Sequence, residues 1–230
     1  MTKFNQDEII QRVESEGFVP LFTHIDEDVC KRVLRASYEA GIRLFEFTNR
    51  NSNSFDIFIA LRKHCDQELP GMVLGIGTIK NAQQAEQYIH AGADFLISPL
   101  ILEEIHEVSR KHKVFWMPGC ATATEIGRAE NWGIGLVKIF PAKQLGGPPF
   151  VKAIKAVFRN MKFLATGGIE PTEADLQAWF KSGVNAVGIG SQLFPDEWLK
   201  SGKYASVTEH VKKIMETISH CKKQDIIPES

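Results

Sequence analysis

The sequence predicts a single (β/α)₈ barrel. Three observations carry that expectation. Eight short apolar segments of β-branched, leucine and aromatic residues alternate with amphipathic ones along the 230 residues. No linker or low-complexity segment divides them, and short buried strands each followed by a helix indicate a parallel sheet. The turn after the first strand, Thr23-His24-Ile25-Asp26, lacks the glycines that an open dinucleotide-binding sheet places there. The barrel core spans about residues 18–195, preceded by one helix and followed by a C-terminal helical extension over about 196–230, all in one domain.

Residues 5–15 put Ile9, Ile10 and Val13 on one side of a helix. Residues 18–23 form the first strand. Asp26 caps a helix that Gly41 ends. The second strand covers 43–49, with a helix from 55 to 68. Pro70-Gly71 turns into the third strand, 72–77, and Asn81 caps the helix that ends at Ala91-Gly92. Strands at 95–99 and 114–118 flank a helix over 102–111. Thr122 or Thr124 opens the next helix, which ends near Gly133. The sixth strand is 136–141. Gly146-Gly147-Pro148-Pro149 reads as a flexible loop over the rim, leading into a helix at 150–159. The seventh strand is 163–166, a helix opens at Pro171-Thr172-Glu173, and the eighth strand is 186–189. Residues 204–222 form a lysine-rich amphipathic helix, and the last residues read as frayed.

Composition is that of an ordinary globular chain. A net charge of -1 and a pI near 6.7 supply no basic field for nucleic acid or an anionic membrane. No apolar run reaches the ~20 residues that span a bilayer, and residues 1–14 are too polar for a signal peptide. Cys30, Cys65, Cys120 and Cys221 are far apart with no CxxC, as expected of reduced thiols in a cytoplasmic protein. The seven histidines form no HxH or HExxH motif, so no metal site is expected from spacing, although distant residues can converge in space. The four tryptophans read as packing residues, and Cys120 has no histidine at a telling spacing.

In such a barrel, chemistry sits where the strands end. Lys138 lies inside the apolar run Leu136-Val137-Lys138-Ile139-Phe140-Pro141. A buried ammonium without a partner escapes its desolvation cost by a lowered pKa, and a neutral lysine is a nucleophile for carbonyl carbon. Glu46 sits in Leu44-Phe45-Glu46-Phe47. Alternation puts Glu46, Thr48 and Arg50 on one strand face, and Lys138 and Phe140 on another. Glu46 and Lys138 therefore make either a buried salt bridge or a proton shuttle beside a nucleophile. Thr166-Gly167-Gly168-Ile169 and Gly188-Ile189-Gly190-Ser191 follow the last two strands. Glycine turns there let backbone N–H groups, including those at a following helix start, approach a phosphate.

These motifs together resemble the 2-keto-3-deoxy-6-phosphogluconate (KDPG) / 4-hydroxy-2-oxoglutarate (KHG) aldolase family. The resemblance covers roughly residues 5–195. It rests on Phe-Glu-Phe-Thr-Asn-Arg (45–50), Gly-Ile-Gly-Thr (75–78), Ile-Ser-Pro (97–99), Pro-Gly-Cys-Ala-Thr (118–122), Val-Lys-Ile-Phe-Pro-Ala (137–142), Thr-Gly-Gly-Ile (166–169) and Gly-Ile-Gly-Ser (188–191), in that order. It implies a class I lyase on a (β/α)₈ barrel, typically a homotrimer, working in sugar-acid metabolism of the Entner–Doudoroff type. Lys138 would form a Schiff base with a 2-keto-3-deoxy sugar acid and Glu46 would be the general acid/base. Arg50 and Thr78 would hold the pyruvyl carboxylate, and Pro99 and Phe140 would line the pocket. Gly167, Gly168 and Ser191 would bind phosphate, with Thr166 adjacent. No metal or organic cofactor is implied, because the lysine supplies the electrophile. The products would be pyruvate and an aldehyde, glyceraldehyde 3-phosphate or, from KHG, glyoxylate. Asn49, Leu100 and Lys143 depart from the family pattern. Two other functions use the same barrel: a phosphate-binding isomerase or synthase, and a non-catalytic sugar-acid binder.

Overall fold

The structure, a computed structural model, describes residues 3–224. Parallel strands and outer helices alternate as the periodicity predicts. The order is α1 (Gln6–Glu16), β1 (Phe18–Phe22), α2 (Glu27–Ala40), β2 (Leu44–Thr48), α3 (Ser54–Glu68), β3 (Val73–Gly77) and α4 (Ala82–His90). Then come β4 (Phe95–Ile97), α5 (Glu103–His112), β5 (Phe115–Met117), β6 (Gly119–Cys120), α6 (Ala123–Asn131) and β7 (Leu136–Ile139). The chain closes with α7 (Gly147–Val157), β8 (Lys162–Thr166), α8 (Glu173–Lys181), β9 (Ala186–Ile189), α9 (Asp196–Lys200) and α10 (Tyr204–Gln224).

Nine strands run in the order β5-β4-β3-β2-β1-β9-β8-β7-β6. β5 and β6 are one barrel position interrupted at Pro118, which has no N–H to give a ladder. The Pro118 carbonyl still accepts from the Lys138 N–H at 2.8 Å, so β6 joins β7 while β5 joins β4 and the barrel closes. The eight expected strands are thus present, the fifth in two pieces.

Two apolar clusters hold this wall. The larger lies between the strands and the helices. The smaller fills the barrel, where Ile9, Ile10 and Val13 of α1 pack beneath Val19, Leu44, Val73, Leu136 and Leu164. Asn5 and Glu8 start α1 with reciprocal cap hydrogen bonds, and Gly17 ends it in the left-handed conformation, φ 71°. α1 therefore closes the N-terminal end of the barrel. The C-terminal extension packs α10 between α2 and α8, taking the place of the eighth outer helix.

Local differences from the sequence expectation have identifiable causes. α7 begins at Gly147, so the two prolines form its first turn instead of a loop, where their missing N–H groups cost nothing. Helix α9 was not expected; Pro195 precedes it, and Asp196 and Glu197 fill its first turn. Residues 225–230, read above as frayed, lie outside the described residues. Among the described residues, no helix is long and apolar enough to cross a membrane.

Candidate active site

The site begins two residues above the apolar plug. Alternation carries each inward-facing strand position from the plug to the rim: Leu44 to Glu46, Leu136 to Lys138, Leu164 to Thr166, Ala186 to Gly188. The plug is dry, and the layer above it holds one carboxylate, one amine and one hydroxyl. β2 and β7 stand four strand positions apart whichever way the barrel is traversed, so Glu46 and Lys138 face one another across its full width. Their side chains meet at 4.0 Å, Lys138 Nζ to Glu46 Oε1.

Glycines make the room. Glu46 is in register with Gly75, and a Cβ at Gly77 would stand 1.6 Å from Glu46 Oε1. Any larger residue at 77 displaces the carboxylate. A Cβ at Gly188 would lie 2.4 Å from Thr166 Oγ1. At Gly119 a Cβ would lie 2.4 Å from the Pro99 carbonyl carbon, so that glycine lets the end of β4 approach the rim. These glycines lie in motifs read from the sequence, but their space-making role was not; the signal was the Gly-x-Gly alternation opposite Glu46 in the neighbouring strand.

Both charged groups are nearly inaccessible, Lys138 5 % and Glu46 1 % exposed. Burial is the largest influence on each. It lowers the Lys138 pKa against the attraction of Glu46, and the Arg50 guanidinium lowers it further. It raises the Glu46 pKa against the opposing pull of Lys138 and Arg50. At 4 Å and an effective dielectric near 20, the attraction between two unit charges is about 4 kcal/mol. Desolvating two ions costs several kcal/mol apiece. Burial therefore works against the charged form of each group, and the pair is not a close salt bridge. The contact agrees, since 4.0 Å is too long for a hydrogen bond and Glu46 Oε2 has no hydrogen-bond partner. Thr166 Oγ1 is likewise buried without a partner. The Lys138 ammonium position lies 5.1 Å from the Phe140 ring centroid.

The other expected residues surround this pair. Arg50 is exposed just beyond β2, and its charge acts on both Glu46 and Lys138. Thr78 follows β3 in the left-handed region at φ 65°, unusual for a β-branched residue. Pro99 and Phe140 are half-buried at the ends of β4 and β7. Gly167 and Gly168, at φ 101° and 81°, follow β8, and Ser191 is exposed after β9. β8 and β9 pair through Thr166 and Gly188, so the two glycine turns are neighbours, next to the Lys138 strand. Helices α8 and α9 start only at Glu173 and Asp196. The glycine turns therefore precede the helix starts by several residues, α8 opening after Thr172 as the sequence predicts.

The residues that depart from the family pattern pack or pair with groups other than Lys138 and Glu46. Asn49 Oδ1 accepts a hydrogen bond from the Tyr88 hydroxyl at 2.9 Å. Leu100 packs against the helix–strand core. Lys143 lies over Gly168 and pairs with Glu170 at 2.6 Å. A broad groove of about 1430 Å³ lies at the opposite, N-terminal end, lined by Phe4, Arg62, Trp116 and His112 among others. Neither Lys138 nor Glu46 lines it, so its size does not make it the reaction site.

A buried amine and a buried carboxylate at the C-terminal rim of a parallel barrel are the groups that a Schiff-base carbon–carbon lyase requires. A profile of the KDPG and KHG aldolases matches residues 9–210, and the chain belongs to that family. It is an aldolase. It is 32 % identical over 204 residues to a 2-dehydro-3-deoxy-phosphogluconate aldolase of Pseudoalteromonas atlantica, covering 88 % of this chain and 92 % of that one. It is also 32 % identical to the KHG/KDPG aldolase of Escherichia coli K12, over 79 % of this chain and 83 % of that one. Among solved structures it superposes on the KDPG aldolase of Legionella pneumophila with TM-score 0.81 and 26 % identity, covering 89 % and 97 % of the two chains. That enzyme was captured with pyruvate as a covalent carbinolamine intermediate. The KDPG aldolase of Zymomonas mobilis, with 3-phosphoglycerate, gives TM-score 0.76 at 29 % identity over 90 % and 94 % of the chains.

Proposed function

We propose that Lys138 and Glu46 cleave 2-keto-3-deoxy-6-phosphogluconate reversibly to pyruvate and glyceraldehyde 3-phosphate. The observation that carries this reading is the 4.0 Å approach of two buried groups whose pKa values are both pushed toward neutrality. The neutral Lys138 amine adds to the C2 ketone. The resulting carbinolamine loses water with a proton from Glu46, leaving an iminium. The C3–C4 bond breaks, its electrons passing into the iminium to form an enamine, while the C4 hydroxyl proton goes to the Glu46 carboxylate directly or through water. The aldehyde departs. Glu46 returns a proton to C3, and water hydrolyses the second iminium to free pyruvate and the amine, the proton released in that step restoring the Glu46 acid. The electron sink is covalent, so the cycle calls for no metal.

Arg50 and Thr78 hold the carboxylate next to C2, and Pro99 and Phe140 fix the plane of the keto acid. Gly167, Gly168 and Ser191, with Thr166 beside them, receive the phosphate. The 3-phosphoglycerate in the Zymomonas mobilis relative supports a phosphorylated substrate. The similarity to the E. coli KHG/KDPG aldolase supports a second cleavage, of 4-hydroxy-2-oxoglutarate to pyruvate and glyoxylate. The buried free thiols suit a reducing, cytoplasmic setting. Comparing cleavage of the phosphorylated acid with its dephosphorylated form tests the assignment. The phosphorylated substrate is expected to have a kcat/KM higher by ~10-fold or more, the weight of one good charge-assisted contact. Equal values would remove the phosphate from the proposal.

A further inference from the structure

We propose that Glu86, His90 and His112 form a divalent-metal site, most suited to Zn²⁺, at the end of the barrel away from Lys138. Glu86 and His90 lie one turn apart on α4, so their side chains project from the same face. His112 is the last residue of the adjacent helix α5, which Lys113 terminates in the left-handed conformation at φ 55°. One ligand atom from each residue lies within 4.8 Å of the other two. Both helices run back from the rim, and His90 and His112 fall at their far ends beside the N-terminal groove.

Four observations favour a cation. The donor set is two imidazoles and one carboxylate, which Zn²⁺ accepts tetrahedrally with a fourth position for water. Glu86 Oε2 and His112 Nε2 are 3.0 Å apart, withdrawn from solvent, yet make no hydrogen bond of normal geometry. The Glu86 carboxylate is oriented from outside, because Lys111 Nζ donates to Oε1 at 2.8 Å and leaves Oε2 facing the histidines. Outer hydrogen bonds of this kind commonly fix ligating carboxylates. The His90 and His112 rings stand edge to face at 5.3 Å, an 89° arrangement that brings two imidazoles beside one carboxylate. A single ion pair accounts for His112 but not for the second imidazole. Tetrahedral bonds of about 2.0–2.2 Å place ligand atoms ~3.4 Å apart, a spacing the Glu86–His112 pair already approaches at 3.0 Å, so the adjustment falls on His90. The exposed His90 has the rotamer freedom to do this.

A bound ion would tie the C-terminal turns of α4 and α5 together without touching the aldolase site. The test is titration of the full-length, EDTA-treated protein with Zn²⁺ by calorimetry and with Co²⁺ by visible absorption, for the natural chain, His90→Ala and His112→Gln. The expected result is one equivalent of Zn²⁺ bound at micromolar or lower Kd and the intense visible band of tetrahedral Co²⁺. Each variant should lose affinity by ~10-fold or more while keeping its aldol cleavage rate. Millimolar binding, an octahedral Co²⁺ spectrum, or unchanged affinity in folded variants would overturn the site.

Discussion

Glu46 and Lys138 are individually costly and jointly useful. Each is surrounded by apolar strand residues, and neither gains a short hydrogen bond from the other. Their shifts have opposite directions, and removing one must move the other. Glu46 raises the Lys138 pKa, so Glu46→Gln lowers it and carries the rising limb of the kcat/KM profile to lower pH. The same variant is expected to slow turnover by ~10²–10⁴, as is Gly77→Ala, which drives the carboxylate out of its position. Steady-state kinetics across pH on folded variants checks both. Unchanged rates would make Glu46 a structural partner of Lys138. The buried pair was legible in the sequence because a charge inside a branched, aromatic strand is conspicuous. Gly77 was not, since its purpose exists only when β2 and β3 lie side by side.

The helix α1 shows a comparable problem at the element scale. Its last residue, Glu16, accepts from the Arg43 N–H at 3.0 Å, while its other oxygen is buried without a partner. Burial raises its pKa to about 7, against the hydrogen bond and the nearby arginines. A folded-state pKa above the usual 4.5 gives stability that is complete below about 4.5 and lost as pH rises through about 7. Melting temperature should therefore fall between about pH 5 and about pH 8.5 more steeply in the natural chain than in Glu16→Gln, which keeps the accepting oxygen. Parallel curves would show that Glu16 is solvated. Most element boundaries followed from local chemistry, such as the Asp26 and Asn81 caps and the glycine stops. The break at Pro118 and the start of α7 did not. The first depends on which neighbours β5 and β6 pair with, and the second on prolines that serve a helix start as readily as a loop.

At the scale of the molecule, the barrel separates stability from chemistry. The N-terminal end is plugged by α1, while the C-terminal end collects glycines and the buried acid–base pair. The parallel eightfold beat made this division readable in advance. The geometry after β9 was readable only in part, because the short helix α9 has no periodicity long enough to announce it, whereas α8 opens at Thr172-Glu173 and α10 at Tyr204 as the sequence predicts. The family resemblance implies a homotrimer, for which light scattering should give three times the 25.8 kDa chain mass; a monomer would remove that expectation.

The most direct test is borohydride reduction in the presence of pyruvate, followed by peptide mapping. The mechanism predicts a reduced pyruvyl adduct on Lys138 and on no other lysine, and none in a folded Lys138→Ala variant. Absence of the adduct from the natural protein, or its appearance on another lysine, would contradict the assignment of Lys138 as the nucleophile.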